Sequence, residues 1–146
     1  MSSTVLLVAN RTANTDRLHE AVRDRAARGT VAFHLVVPAV PHGLHRVVDP
    51  EVAGVEEARA ALALALPSLS EVAGSQVSGE VGSADPLAAI QDAMARRSFD
   101  EIVISTLPRR VSRWLHVDLP SKARGLGLPV AHVEAKAVPE SAPALG

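Results

Sequence analysis

The sequence predicts an α/β domain built on a single doubly wound, five-stranded parallel sheet with helices on both faces. Three observations carry the prediction. Apolar runs such as 4–9 (TVLLVA) and 31–37 (VAFHLVV) show no alternation, which is how a strand buried on both faces reads. Apolar residues at helical spacing fill the stretches between such runs, so strands and helices alternate. The chain has 146 residues, no cysteine and 2% aromatic residues. That is the size of one domain with an aliphatic, disulfide-free core.

Each element follows in order. The first strand is read at 4–9. In the polar stretch after it, Thr12 or Asn14 can cap a helix with the stripe Leu18, Ala21, Val22 and Ala26, and Gly29 stops that helix. The second strand, 31–37, ends at Pro38. Residues 38–54 hold three prolines and two glycines and read as a long loop. The next helix turns Val55, Ala58, Leu62, Ala65, Leu66 and Leu69 inward, and Pro67 is expected to kink it or split it. A third strand is expected at 76–81. Asp85-Pro86 then pairs a cap with proline at the first helical position, ahead of Leu87, Ile90 and Met94. The fourth strand is 101–105. The last strand, 129–135, opens on Pro129 and closes on Ala135. The domain is thus 1–135, and 136–146, with two prolines and little to bury, is expected to be a flexible tail.

Net charge is −1, so whole-molecule attraction to nucleic acid or to a membrane has no support. The start MSSTVLLVAN has no basic n-region, and no apolar run approaches spanning length; a cytoplasmic protein is expected. The charge is nevertheless uneven. Five of the fifteen basic residues but one of the sixteen acidic ones fall between Ser105 and Arg124.

That basic stretch matters because of the fold. In doubly wound sheets, ligands sit beyond the carboxyl ends of the strands, where the winding direction reverses. With the first strand central, the crevice falls between strands one and four, walled by 9–12 and 105–113. The second wall belongs to STLPRRVSRWLHVD, which brings Ser105, Thr106, Arg109, Arg110, Arg113, Trp114 and His116. Hydroxyls and guanidinium forks make a set that binds anions; the same residues also make a solvated basic turn. Trp114 can stack on a base or fill the core. His116 and Asp118 resemble an acid–base pair but have no nucleophile beside them, and Asp118 stands before Leu119-Pro120 as a helix cap does. His34 and His132 fall inside strand patterns and read as satisfied sheet residues. His42 and His45 have a spacing metals use but lack a third ligand, so no metal site is expected. Gly125-Leu-Gly127 is a helix stop rather than a dinucleotide fingerprint, and no Walker lysine motif, G-x-S-x-G or H-E-x-x-H occurs.

Four patterns, in this order and spacing, resemble the universal stress protein family over roughly residues 4–135. They are VLLVAN-RT at the first strand, HLVVP at the second, GSADPLAAI after the third, and DEIVIST…GLPVAHV at the end. The resemblance implies strand order 3-2-1-4-5 and a homodimer paired through the last strand. Many members of the family bind ATP and others do not. In ATP-binding members an acidic residue just after the first strand contacts the nucleotide; the matching position is Asn10, flanked by Ala9 and Thr12. The backbone near Val36, at the end of the second strand, would meet the adenine. ATP binders also carry G-x2-G-x9-G followed by Ser or Thr after the fourth strand. Here no glycine occurs between Ser83 and Arg124. Leucine, proline, arginine and valine cannot copy the close approach and positive φ that glycine amides use to wrap phosphate.

Three readings stay open. One is a stress-type dimer that binds ATP, another adenine nucleotide or a different small anion, at a site rebuilt on Ser105, Thr106, Arg109, Arg110, Arg113 and His116. The second is a dimeric scaffold whose crevice is plugged by Trp114 or Leu107. The third is a nucleotide hydrolase using Asn10, Ser105 and the arginines. Phosphoryl chemistry wants Mg²⁺ and acids to hold it, and Asp16 and Asp118 are the nearby candidates.

Overall fold

The computed structural model describes residues 2–40 and 50–138, with the backbone alone at 50 and 51. In chain order its elements are β1 (Ser3–Val8), α1 (Asp16–Ala26), β2 (Val31–Pro38), α2 (Pro50–Ala73), β3 (Ser78–Gly82), α3 (Pro86–Arg96), β4 (Glu101–Thr106), α4 (Arg113–His116), α5 (Leu119–Arg124) and β5 (Val130–Glu134). Among the described residues the strands form one five-stranded, all-parallel sheet in the order β3-β2-β1-β4-β5. This is the predicted order. β1 lies at the centre, with Val8 opposite Val36 on one side and Ile104 on the other. The chain winds outward from β1 to β3, then crosses back to β4, so the reversal falls between β1 and β4.

Alternation along β1 explains its unbroken apolar run. Val5, Leu7 and Ala9 face one way, and with Phe33, Leu35 and Val37 they pack under Leu18 and Val22 of α1 and Ala58, Ala65 and Leu69 of α2. Leu6 and Val8 face the other way and join Val36, Ile102 and Ile104 under α3 and α5. Successive side chains of a strand point to opposite faces, and both faces here are covered. β3 approaches α2 through a bare Cα: a Cβ on Gly79 would lie 2.6 Å from Leu62 Cδ1 and 3.1 Å from the Leu35 carbonyl oxygen.

His34 of β2 is a satisfied sheet residue, as expected. Its Nε2 lies 2.6 Å from Glu80 Oε2, and its Nδ1 lies 2.7 Å from Ser78 Oγ and 2.8 Å from Arg97 Nη1. A guanidinium only donates, so Nδ1 accepts and the ring proton sits on Nε2, directed at Glu80.

Several expectations need correction. Pro67 neither ends nor divides α2, which runs through it as one helix. Pro67 and Ala63, whose carbonyl it leaves without an intrahelical donor, are both exposed, so water can satisfy that carbonyl while buried Ala65 and Leu69 hold the helix to the sheet. The helix also begins at Pro50, inside the stretch read as loop. Thr15, not Thr12 or Asn14, is the N-cap residue of α1, and its side chain makes no capping bond; Thr12 is engaged elsewhere. β3 starts two residues later than read, at Ser78. Asp85 caps α3 as expected, accepting from the Leu87 amide at 3.1 Å. The pair His42 and His45 lies outside the described residues, as does 139–146 of the expected tail. Among the described residues, no helix is long and apolar enough to cross a membrane.

Candidate functional site

β1 and β4 are hydrogen-bonded neighbours and end side by side, so the segments after them leave the sheet together. A hydroxyl pair joins the two: Thr12 Oγ1 lies 2.6 Å from Ser105 Oγ, with both residues buried. Each hydroxyl carries one proton and their mutual bond uses one, so the second remains for another acceptor. Asn10, also buried, donates from Nδ2 to the Pro38 carbonyl at 2.5 Å and so ties the first segment to the end of β2.

Thr106 is fixed from the β5 side. Its Oγ1 donates to the Leu107 carbonyl at 3.0 Å and lies 2.8 Å from His132 Nε2. With the hydroxyl proton spent on Leu107, the imidazole Nε2–H must be the donor to Thr106. Burial holds the His132 pKa below its ordinary 6.5; Arg109 and Arg124 push the same way, and Glu134 opposes them.

The rest of the wall comes from α4. Ser112 caps this short helix, accepting from the Leu115 amide at 3.2 Å, and is itself buried. The cap carries Arg113 and Trp114 to the crevice, where Trp114 also packs against the α3–α5 cluster. A cavity of about 210 Å³ results, lined by Asn10, Arg11, Thr12, Val40, Ser105, Thr106, Leu107, Val111, Ser112, Arg113 and Trp114. One part of the lining is hydroxyl, amide and guanidinium; Val40, Leu107, Val111 and Trp114 supply the apolar part. No carboxylate, histidine or glycine belongs to the described lining. Among the described residues, no group of three His, Cys, Asp or Glu side chains is placed to hold a metal ion.

Asn10, Thr12, Ser105, Thr106 and Arg113 of the predicted set therefore meet at one cavity, and the others stand apart. Ala9 is fully buried in the α1–α2 core and gives its amide to the Val36 carbonyl at 3.3 Å. Val36 is fully buried on the opposite face, two residues before β2 ends, so its backbone is already engaged. Val40 is the residue beyond β2 that reaches the cavity. Arg109 and Arg110 are exposed and outside the lining, and the Arg109 amide donates to Glu134 Oε2 at 2.9 Å. His116 is exposed at the end of α4. Asp118 caps α5, accepting from the Ser121 amide at 3.4 Å. Leu107 and Trp114 form wall, and the cavity remains open beside them.

Sequence reading passed over Arg11 and Ser112. Arg11 follows Asn10 directly in the first segment, and its Nε is buried without a hydrogen-bond partner. Ser112 stood before a short turn of helix, the ordinary signature of an N-cap. The described lining residues, with no glycine or carboxylate among them, do not fit a triphosphate wrapped by backbone amides with a carboxylate-held metal.

No protein-family profile matches the chain, and no curated protein matches it significantly. Solved structures do. A universal stress protein from Archaeoglobus fulgidus superposes with a TM-score of 0.61 at 18% identity, over 90% of this chain and 93% of that one. The universal stress protein from Archaeoglobus fulgidus in complex with dAMP gives 0.55 at 19% identity, over 91% of this chain and 98% of that one. With the strand order and the crossover at β1 and β4, these likenesses show that the chain has the universal stress protein fold.

Proposed function

We propose that the chain is a dimeric, non-enzymatic protein of universal stress type that binds a small anion, of the adenine-nucleotide class, in the β1–β4 crevice of a cytoplasmic protein. The observation that carries this reading is the described lining of the cavity: two guanidiniums and buried hydroxyls, with no acid among the described lining residues to repel an anion. The dAMP held by the similarly folded archaeal protein supports the nucleotide class. The described lining holds no histidine or carboxylate, so none of the described lining residues is a general base for a ligand there. The cavity of about 210 Å³ falls below the roughly 300–1,000 Å³ of pockets that enclose drug-sized molecules, so it suits a compact ligand or one end of a larger one.

Calorimetric titration of the full chain with AMP, ADP, ATP and a cyclic nucleotide tests this. Saturable heat with at least one supports the reading. No heat with any of them, on folded protein, leaves the scaffold.

A further inference from the structure

We infer that the crevice selects a phosphomonoester dianion bound without a metal ion, and that Arg11 is the specificity-determining residue. This rests on the reading that the crevice binds an anion.

Three observations converge on it. The first is an excess of donors. Thr12 and Ser105 share one bond between two hydroxyl protons, and Ser112 Oγ accepts from Leu115 while its own proton has no acceptor among the described residues. Arg11 Nε–H is a buried donor with no hydrogen-bond partner among the described residues. A buried donor left unpaired is destabilising until something accepts from it. The partner that such a wall lacks is one made only of acceptors, and a phosphate group carries three such oxygens.

The second is charge. Arg11 and Arg113 bring two positive charges to the described lining, and no carboxylate offsets them. A phosphomonoester carries about −1.5 to −2 at neutral pH, which two guanidiniums match. A triphosphate carries more, and its metal is normally held by a carboxylate; the described lining offers none. The third is size: about 210 Å³ suits one phosphate and a small appended group better than an extended chain of three.

Arg11 rather than Arg113 is the selector because of its surroundings. Arg113 is exposed, whereas Arg11 is partly buried and its Nε has no contact with water. A charge-assisted bond is stronger away from solvent.

Trp114, the chain's single tryptophan, lines the cavity and supplies the readout. Its fluorescence is titrated with AMP, adenosine, inorganic phosphate and ATP, with and without Mg²⁺ or EDTA, on the wild-type chain, Arg11→Met and Arg11→Lys. AMP and inorganic phosphate are expected to saturate, AMP at least about tenfold tighter than adenosine or MgATP, with no effect of EDTA. Arg11→Met is expected to weaken AMP about tenfold or more, as loss of a hydrogen bond to a charged group does, while leaving adenosine unchanged; Arg11→Lys is expected to recover part of the loss. Equal AMP affinity in Arg11→Met, or tighter binding of MgATP that EDTA abolishes, overturns the inference and leaves the anion reading standing. No response of the wild type to any of the four compounds overturns both. Should Arg11→Met fail to fold by circular dichroism, the wild-type order of AMP, adenosine and MgATP decides alone.

Discussion

Thr12 Oγ1 and Ser105 Oγ meet at 2.6 Å across the gap between the segments that follow β1 and β4. Ninety-three positions separate them in sequence, and the pairing of Val8 with Ile104 one strand-end away brings them together. Neither residue could be picked out as one half of a pair without the strand order. Together they join the two walls of the crevice.

Replacing Thr12 with Val keeps the shape and leaves Ser105 with a buried hydroxyl and no partner. The expected loss is about 1–3 kcal/mol. Thr12→Val with Ser105→Ala should cost less than the sum of the single changes, since residues in contact couple by about 0.5–3 kcal/mol. Urea unfolding of the four proteins measures the coupling; strict additivity would mean that the bond contributes nothing.

His132 gives the fold a pH dependence of predictable sign. Its folded pKa lies below 6.5, chiefly through burial. The unfolded chain therefore takes up this proton at a higher pH than the folded one does. The stability involved is fully present above 6.5 and is lost as pH falls from 6.5 toward the folded value. His132→Gln keeps a donor for Thr106 but cannot titrate. Unfolding midpoints between about pH 7.5 and about pH 5.5 should fall more steeply for wild type than for the variant. Parallel slopes would remove His132 from the account.

Gly79→Ala should be destabilising even though alanine suits most backbones. The new Cβ would meet Leu62 Cδ1 at 2.6 Å, which a side chain can relieve, and the Leu35 carbonyl at 3.1 Å, which sheet backbone yields to less easily. About 1–3 kcal/mol is expected for such overpacking. The denaturation midpoint should drop with an unchanged slope.

The proposed dimer uses β5, which has β4 on one side and the sheet edge on the other. Light scattering should report twice the 15.3 kDa chain mass. Lysine at exposed Ala131 should shift the population toward monomer, because a charged edge strand resists pairing with another. A wild-type monomer contradicts the dimer clause.

The fold was legible because both faces of the sheet are covered. Continuous apolar runs at β1, β2 and β4 marked the strands, and Asp85-Pro86 marked a helix start. Pro67 does not split α2, because its local penalty is answered at the solvent side of a helix held by Leu62, Leu66 and Leu69. The crevice was legible as a place, through the rule of the winding reversal, and half legible as chemistry. Arg109 and Arg110 stood out by charge yet lie in solvent. Arg11 fell inside the VLLVAN-RT pattern, but nothing in that pattern told its burial, which one residue in a loop does not advertise. Val36 lies two residues before the end of β2, and Val40 is the residue beyond that strand that lines the cavity.

Urea unfolding with and without AMP tests the central claim most directly. If the β1–β4 crevice binds a phosphomonoester, stability rises with ligand as RT ln(1 + [L]/Kd), reaching about 2.7 kcal/mol at a hundredfold excess over Kd. The account predicts that rise for AMP in the presence of EDTA. A midpoint that stays fixed at every AMP concentration contradicts it.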